Sequence, residues 1–162
     1  MRGPDDSHRG GPVTTTDDLY RAELARIRVD EWSVRTVEVL LLEASSSYVF
    51  DPTDLYVADV LASGGIEGAW TGYARQSVTL STPTVDGSER WQLLASTVDF
   101  GVIGTSTSDG TVGAIFYEPV TDDSDSLLIR CVITAPYVEI WDGSTNFRLT
   151  VPGTGFARVS CA

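Results

Sequence analysis

The chain contains no lysine, one histidine, two cysteines and one methionine in 162 residues. Each scarcity removes a class of chemistry. Without lysine there is no Schiff-base nucleophile and no phosphate-binding loop ending in Gly-Lys-Ser/Thr. The lone histidine, His8, lies in a Gly- and Pro-rich N-terminal stretch, so a Ser-His-Asp or Cys-His relay on the folded body has no base. One histidine and two separated cysteines fall short of the clustered ligands that an ordinary zinc site needs. Two cysteines are also too few for a disulfide framework in a chain of this length. Each sits on the apolar phase of a candidate strand, Cys131 with Ile129 and Ile133, and Cys161 with Ala157 and Val159. Both read as buried free thiols, with a bridge or a metal role as the alternative. No segment approaches the roughly 18 consecutive apolar residues of a membrane span. Asp5, Asp6 and His8 near the start are unlike a secretory leader, and synthesis in the cytoplasm is the expectation.

Charge is also one-sided. There are 23 acidic residues against 11 basic ones, all arginine, for a net charge of −12 and a pI near 4.2. From residue 31 onward six arginines face 17 acids, so the acidity belongs to the body and not to the start of the chain. Such a field opposes binding to nucleic acid or to an anionic membrane surface. Arginine without lysine is no folding requirement; it reads as the codon habit of a GC-rich genome. A hydrophobic share of 42% and a charged share of 21% are those of a globular protein. The length fits a single domain.

Residues 1–15 (MRGPDDSHRGGPVTT) carry too few apolar side chains to offset their ordering entropy. They are expected to form a flexible or partner-bound arm, and residues 16–162 one β-rich domain. Tyr20, Leu24 and Ile27 share a helical face behind Thr16 or Asp17 as N-cap, which predicts a short helix over Asp17–Arg28. Ser33–Glu43 then switches to period two, with Val37, Val39 and Leu41 in phase. Leu55, Ala58 and Leu61 predict one or two helical turns within Asp54–Ala62, ended by Gly64-Gly65. The remainder is punctuated as antiparallel β structure. Strands are predicted at Ile66–Ala74, Gln76–Ser81, Arg90–Ala95, Val112–Glu118, Ser126–Thr134, Tyr137–Trp141, Asn146–Val151 and Gly155–Ser160. Between them stand turn sequences such as Asp86-Gly87, Asp109-Gly110 and Pro152-Gly153. Val112–Tyr117 is apolar on both faces and reads as a central strand. The fold class expected is mainly β: an antiparallel β-sandwich or barrel-like domain with one or two short helices near the N-terminus and an extended N-terminal arm.

Few residues are candidates for a site. Tyr137 and Trp141 share a strand face with Glu139 between them. These aromatics read first as core packing or a sheet edge, and the aromatic–acid–aromatic row is otherwise the best candidate contact surface, whether for a protein or for a stacked sugar. Trp70 and Tyr73, three apart, point to opposite faces if they lie on one strand. Asp122-Asp123-Ser124-Asp125 offers oxygen atoms in a tight loop but lacks the glycine and the closing glutamate of an EF-hand. It reads as a polar hairpin loop, with a weak calcium site as the alternative. Two carboxylates meeting in a cleft, as in glycoside hydrolysis, are a catalytic arrangement this composition leaves open. The acids read instead as a solvated surface. The expectation is a protein with no enzymatic activity and no cofactor.

Five segments occur in an order that resembles a group of small virion proteins of tailed bacteriophages, encoded among head and tail genes. They are SYVFDPTDLYVADVL at Ser47–Leu61, WTGYAR at Trp70–Arg75, ASTVDF at Ala95–Phe100, the Ala114–Ile129 hairpin with its Asp122-Asp123 turn, and the closing hairpin Phe147–Val159. The similarity spans roughly residues 17–160. Residues 1–15 have no counterpart in it, and the Gly-rich GVIGTSTSDG after Phe100 is longer than in that group. The resemblance implies a virion structural protein made in the bacterial cytoplasm, such as a head decoration or head-fibre protein, without enzymatic activity. Its partners would be the phage major capsid protein or other virion subunits, with further copies of itself in the particle. The alternatives are a neck or tail-associated connector and a host-surface carbohydrate-binding module.

Overall fold

The computed structural model describes residues 16–19, 29–85, 91–104, 110–133, 146–150 and 157–159. These form ten strands, one short helix and a 3-10 turn: β1 (Thr16–Leu19), the 3-10 turn (Val29–Val34), β2 (Val37–Glu43), α1 (Val57–Ala62), β3 (Gln76–Val78), β4 (Leu80–Val85), β5 (Trp91–Ala95), β6 (Val98–Val102), β7 (Thr111–Glu118), β8 (Leu127–Ile133), β9 (Asn146–Leu149) and β10 (Ala157–Val159). The fold is mainly β and antiparallel throughout, as the turn-punctuated sequence predicts. A five-stranded sheet runs β1-β8-β7-β2-β3, beside a three-stranded sheet β10-β5-β4 and a two-stranded ribbon β6-β9.

The central strands β2, β7 and β8 of the five-stranded sheet are buried on both faces. On one side Val37, Val39, Leu41, Ala114 and Phe116 pack against Trp32, Leu93, Val98, Phe100 and Ile103 of the second β layer and the 3-10 turn. On the other, Leu40, Leu42, Ile115, Tyr117 and Leu128 pack against Tyr48, Val57 and Val60, so α1 and the segment before it form the cover. A strand between two cores has no solvent face to mark with polar residues. That is why β7 (TVGAIFYE) is buried from Thr111 to Tyr117 and stands third in the sheet, in the central place its sequence predicts. Full burial of side chains of this kind stabilises by about 1.5–3 kcal/mol each.

The tight packing has a single-atom test. A Cβ at Gly113 would lie 2.5 Å from the carbonyl oxygen of Val132 in the neighbouring strand. Backbone on backbone cannot yield there without moving β7 from β8. Gly113→Val is expected to cost about 1–3 kcal/mol by overpacking, read as a lower denaturation midpoint in urea. An unchanged midpoint would mean that β7 and β8 are not so closely paired.

Among the differences from the sequence-based expectation, three bear on how the core is built. The spacing predicts a helix over Asp17–Arg28 capped by Thr16 or Asp17, but Thr16–Leu19 is strand β1, paired with β8 from Thr16↔Ile133 to Leu19↔Arg130. The edge of β8 needs backbone partners, and this outweighs the helical spacing; residues 20–28 lie outside the described residues. The start of the same edge is closed separately, by Tyr56 bridging to Leu127 and by the Leu128 N–H donating to Leu55 O at 2.9 Å.

The second difference is at 66–74, which forms no strand. Gly72 takes a left-handed φ of +82° in a turn closed by the Tyr73 N–H donating to Trp70 O at 3.0 Å. Trp70 and Tyr73 therefore meet edge to face at 5.4 Å in the same core instead of parting to opposite faces. The row continues through Phe100, stacked on Tyr73 at 6.0 Å, to Phe147 at 5.8 Å, tying the turn to β6 and β9.

The third is a bulge in β8. Phe116 pairs with Arg130 but Tyr117 with Leu128, which leaves Ile129 as the extra residue. The inserted residue shifts the alternation, so Ile129 joins the Phe116 core while Cys131 lies in the other, with Leu128 and Ile133. The in-phase pairing of Cys131 with Ile129 is thus corrected, while the expected burial of the Cys131 thiol is observed. Cys161 lies outside the described residues.

Candidate functional site

The sequence-predicted contact row Tyr137, Glu139 and Trp141 lies outside the described residues, as do the arm of residues 1–15 and His8. Among the described residues, the most organised polar cluster lies where the 66–75 segment, the 119–126 loop and the ends of β2 and β7 converge on Arg75. The Arg75 Nε–H and one Nη2–H donate to the two oxygens of Glu67 at 2.8 and 2.6 Å. The other Nη2–H and one Nη1–H donate to the two oxygens of Asp123 at 2.9 and 2.5 Å. The last Nη1–H reaches the Tyr117 hydroxyl at 3.4 Å, and the guanidinium lies over the Tyr117 ring, 5.4 Å from its centroid. All five donors of the fork are engaged, four of them in charge-assisted bidentate pairs.

Two tyrosines extend the cluster into the sheet. The Tyr117 hydroxyl donates to Glu38 Oε2 at 2.6 Å. The Tyr73 hydroxyl donates to Glu67 Oε1 at 3.2 Å and accepts the Leu41 N–H at 2.9 Å. β3 ends its pairing with β2 at Val39, so the Tyr73 hydroxyl takes the place of the missing strand at Leu41. Gly68 N–H and Ile66 O serve Leu41 O and Glu43 N–H in the same way. Burial comes first among the causes that raise both phenols above their usual range, with Glu38 adding to it at Tyr117. Both are therefore donors at neutral pH, not bases. Hydrogen bonds to Glu67 and Asp123 hold the Arg75 charge even more firmly than usual.

The 119–126 loop is ordered from several directions. Asp122 Oδ1 accepts the Ser124 N–H at 2.8 Å and its hydroxyl at 2.5 Å. Asp123 O and Ser126 O accept the Ala58 and Val57 N–H groups at 2.9 and 3.0 Å, serving donors that the first turn of α1 leaves open. Asp59 completes that turn by accepting the Leu55 and Tyr56 N–H groups at 3.0 and 2.9 Å. The loop carboxylates that the sequence offers as possible calcium ligands thus face different partners: Asp122 its own loop, Asp123 the guanidinium. Among the described residues, no group of three or more His, Cys, Asp or Glu side chains is placed to hold a metal ion. What the cluster does chemically is fix two chain segments, 66–75 and 119–126, against the sheet.

Two other carboxylates respond to pH with opposite sign. Asp99 accepts the Gly101 N–H at 2.8 Å and pairs with Arg148 at 2.9 Å, contacts that hold its carboxyl below the ordinary range. A depressed folded pKa contributes stability that is present above the unfolded pKa and lost as pH falls through the folded one. Asp54 is the reverse. Burial lifts its carboxyl; the hydrogen bond from Tyr48 at 2.9 Å opposes this, and Asp51 and Asp59 add to the lift. Its charge therefore destabilises the fold at neutral pH; that penalty is complete above the raised folded pKa and is gone once pH has fallen below the unfolded one. At pH 7 the melting temperature is expected to rise in Asp54→Asn and fall in Asp99→Asn, both differences shrinking toward zero in acid. Shifts of the same sign in the two variants would contradict these assignments.

In comparisons with known proteins, no family model matches the chain, and no curated protein or solved structure matches it either.

Proposed function

We propose that the protein is a structural component of a tailed-bacteriophage particle, a capsid decoration or accessory head protein that binds the major capsid shell. The observation that supports this reading is the colinear set of motifs between Tyr48 and Val159. Their described residues are engaged in holding the fold: Tyr48 on Asp54, Tyr73 on Leu41 and Glu67, Arg75 on Asp123, and Tyr117 on Glu38. A rigid, doubly packed sheet with its strongest polar cluster committed to internal pairing suits a subunit that presents a surface to other subunits. In this reading the protein is made in the bacterial cytoplasm and resides in the virion. It contacts capsid subunits or its own copies, acts on no substrate and carries no cofactor. Its net charge of −12 disfavours nucleic acid and anionic membrane as partners.

The arm supplies the test. Capture of residues 1–15 by the shell adds contact area at an ordering cost. Deleting them is expected to reduce occupancy on purified capsids while leaving the melting curve unchanged. Equal occupancy of the truncated and full-length chains would remove the arm from the interface. Failure of the full-length chain to bind capsids would overturn the decoration reading. A neck or tail-associated connector, assembled as a ring, is then the reading in the same class.

A carbohydrate-binding module for host surfaces rests on a different observation, the spacing of Tyr137 and Trp141 about Glu139. Binding on a glycan array that is lost in Trp141→Ala would establish it, and an array without signal would remove it.

A further inference from the structure

We draw no further inference here: the strongest candidate, the half-open apolar crevice of about 50 Å³ between the central strands and β9, lined by Leu41, Ala114, Val132, Phe147 and Leu149 among others, carries nothing because nothing in the structure shows what covers it.

Discussion

Trp32→Ala is expected to lower the free energy of unfolding by about 3–5 kcal/mol, the range for removing a fully buried large aromatic side chain. Trp32 is fully buried and sits in the 3-10 turn that packs onto β4. Its indole N–H donates to Leu94 O of β5 at 2.9 Å, and the Arg35 guanidinium lies 5.8 Å from its ring. One side chain thus joins the turn to the second β layer and to the apolar face of the five-stranded sheet. In a domain of this size such a loss corresponds to a fall in melting temperature of roughly 10 °C or more. Trp32→Phe retains most of the packing and removes the donor, so a cost of about 1–2 kcal/mol is expected. Urea unfolding of the two variants separates packing from hydrogen bonding. A Trp32→Ala chain as stable as the parent would mean that the 3-10 turn is not part of the core.

The second large effect is at Arg75. Arg75→Met leaves Glu67 and Asp123 facing each other without the cation that both now chelate. Breaking a buried pair by removing one partner costs about 3–5 kcal/mol. The side chains here keep a quarter to a third of their exposure, so water screens the orphaned charges and about 2–3 kcal/mol is expected. Adding Glu67→Gln and Asp123→Asn to Arg75→Met removes the repulsion and is expected to recover more than half of the loss. The recovery distinguishes an electrostatic cluster from simple packing of the arginine stem. If the triple variant were as unstable as the single one, the pairing geometry would not be what holds the 66–75 segment and the 119–126 loop in place.

Much of the fold is legible in the sequence because the core strands carry period-two or continuous apolar patterns. Val37, Val39 and Leu41 fall on one face of β2, as their spacing predicts, and the unbroken apolar run of β7 marks a strand between two cores. α1 ends before Gly64, whose φ is +98°, at the place that Gly64-Gly65 indicates. What is not legible depends on partners distant in sequence. β1 is a strand because β8 offers an edge, and nothing within Thr16–Leu19 announces it. Gly72 bends a segment that otherwise alternates like a strand. The bulge at Ile129 inverts a phase by one residue, which a periodicity argument cannot anticipate. β6 leaves only a weak trace in the sequence: Val98 and Phe100 are buried on either side of the exposed Asp99 within a strand of five residues.

The Arg75 cluster was invisible as a motif, because Glu38, Glu67, Arg75, Tyr117 and Asp123 come from separate segments. One signal did exist. From residue 31 onward only six arginines stand among 17 acids. A cation that scarce, placed directly after the apolar and aromatic WTGYA, has every reason to be multiply paired where it is partly buried.

The central functional claim is membership of a virion, and one measurement addresses it most directly: quantitative mass spectrometry of purified particles assembled from a genome that encodes this chain. A decoration protein is predicted at hundreds of copies per particle, in fixed ratio to the major capsid protein; about six or twelve copies would place it in a neck or tail ring instead. Its absence from purified particles, with the chain present in the infected cell, would contradict the account.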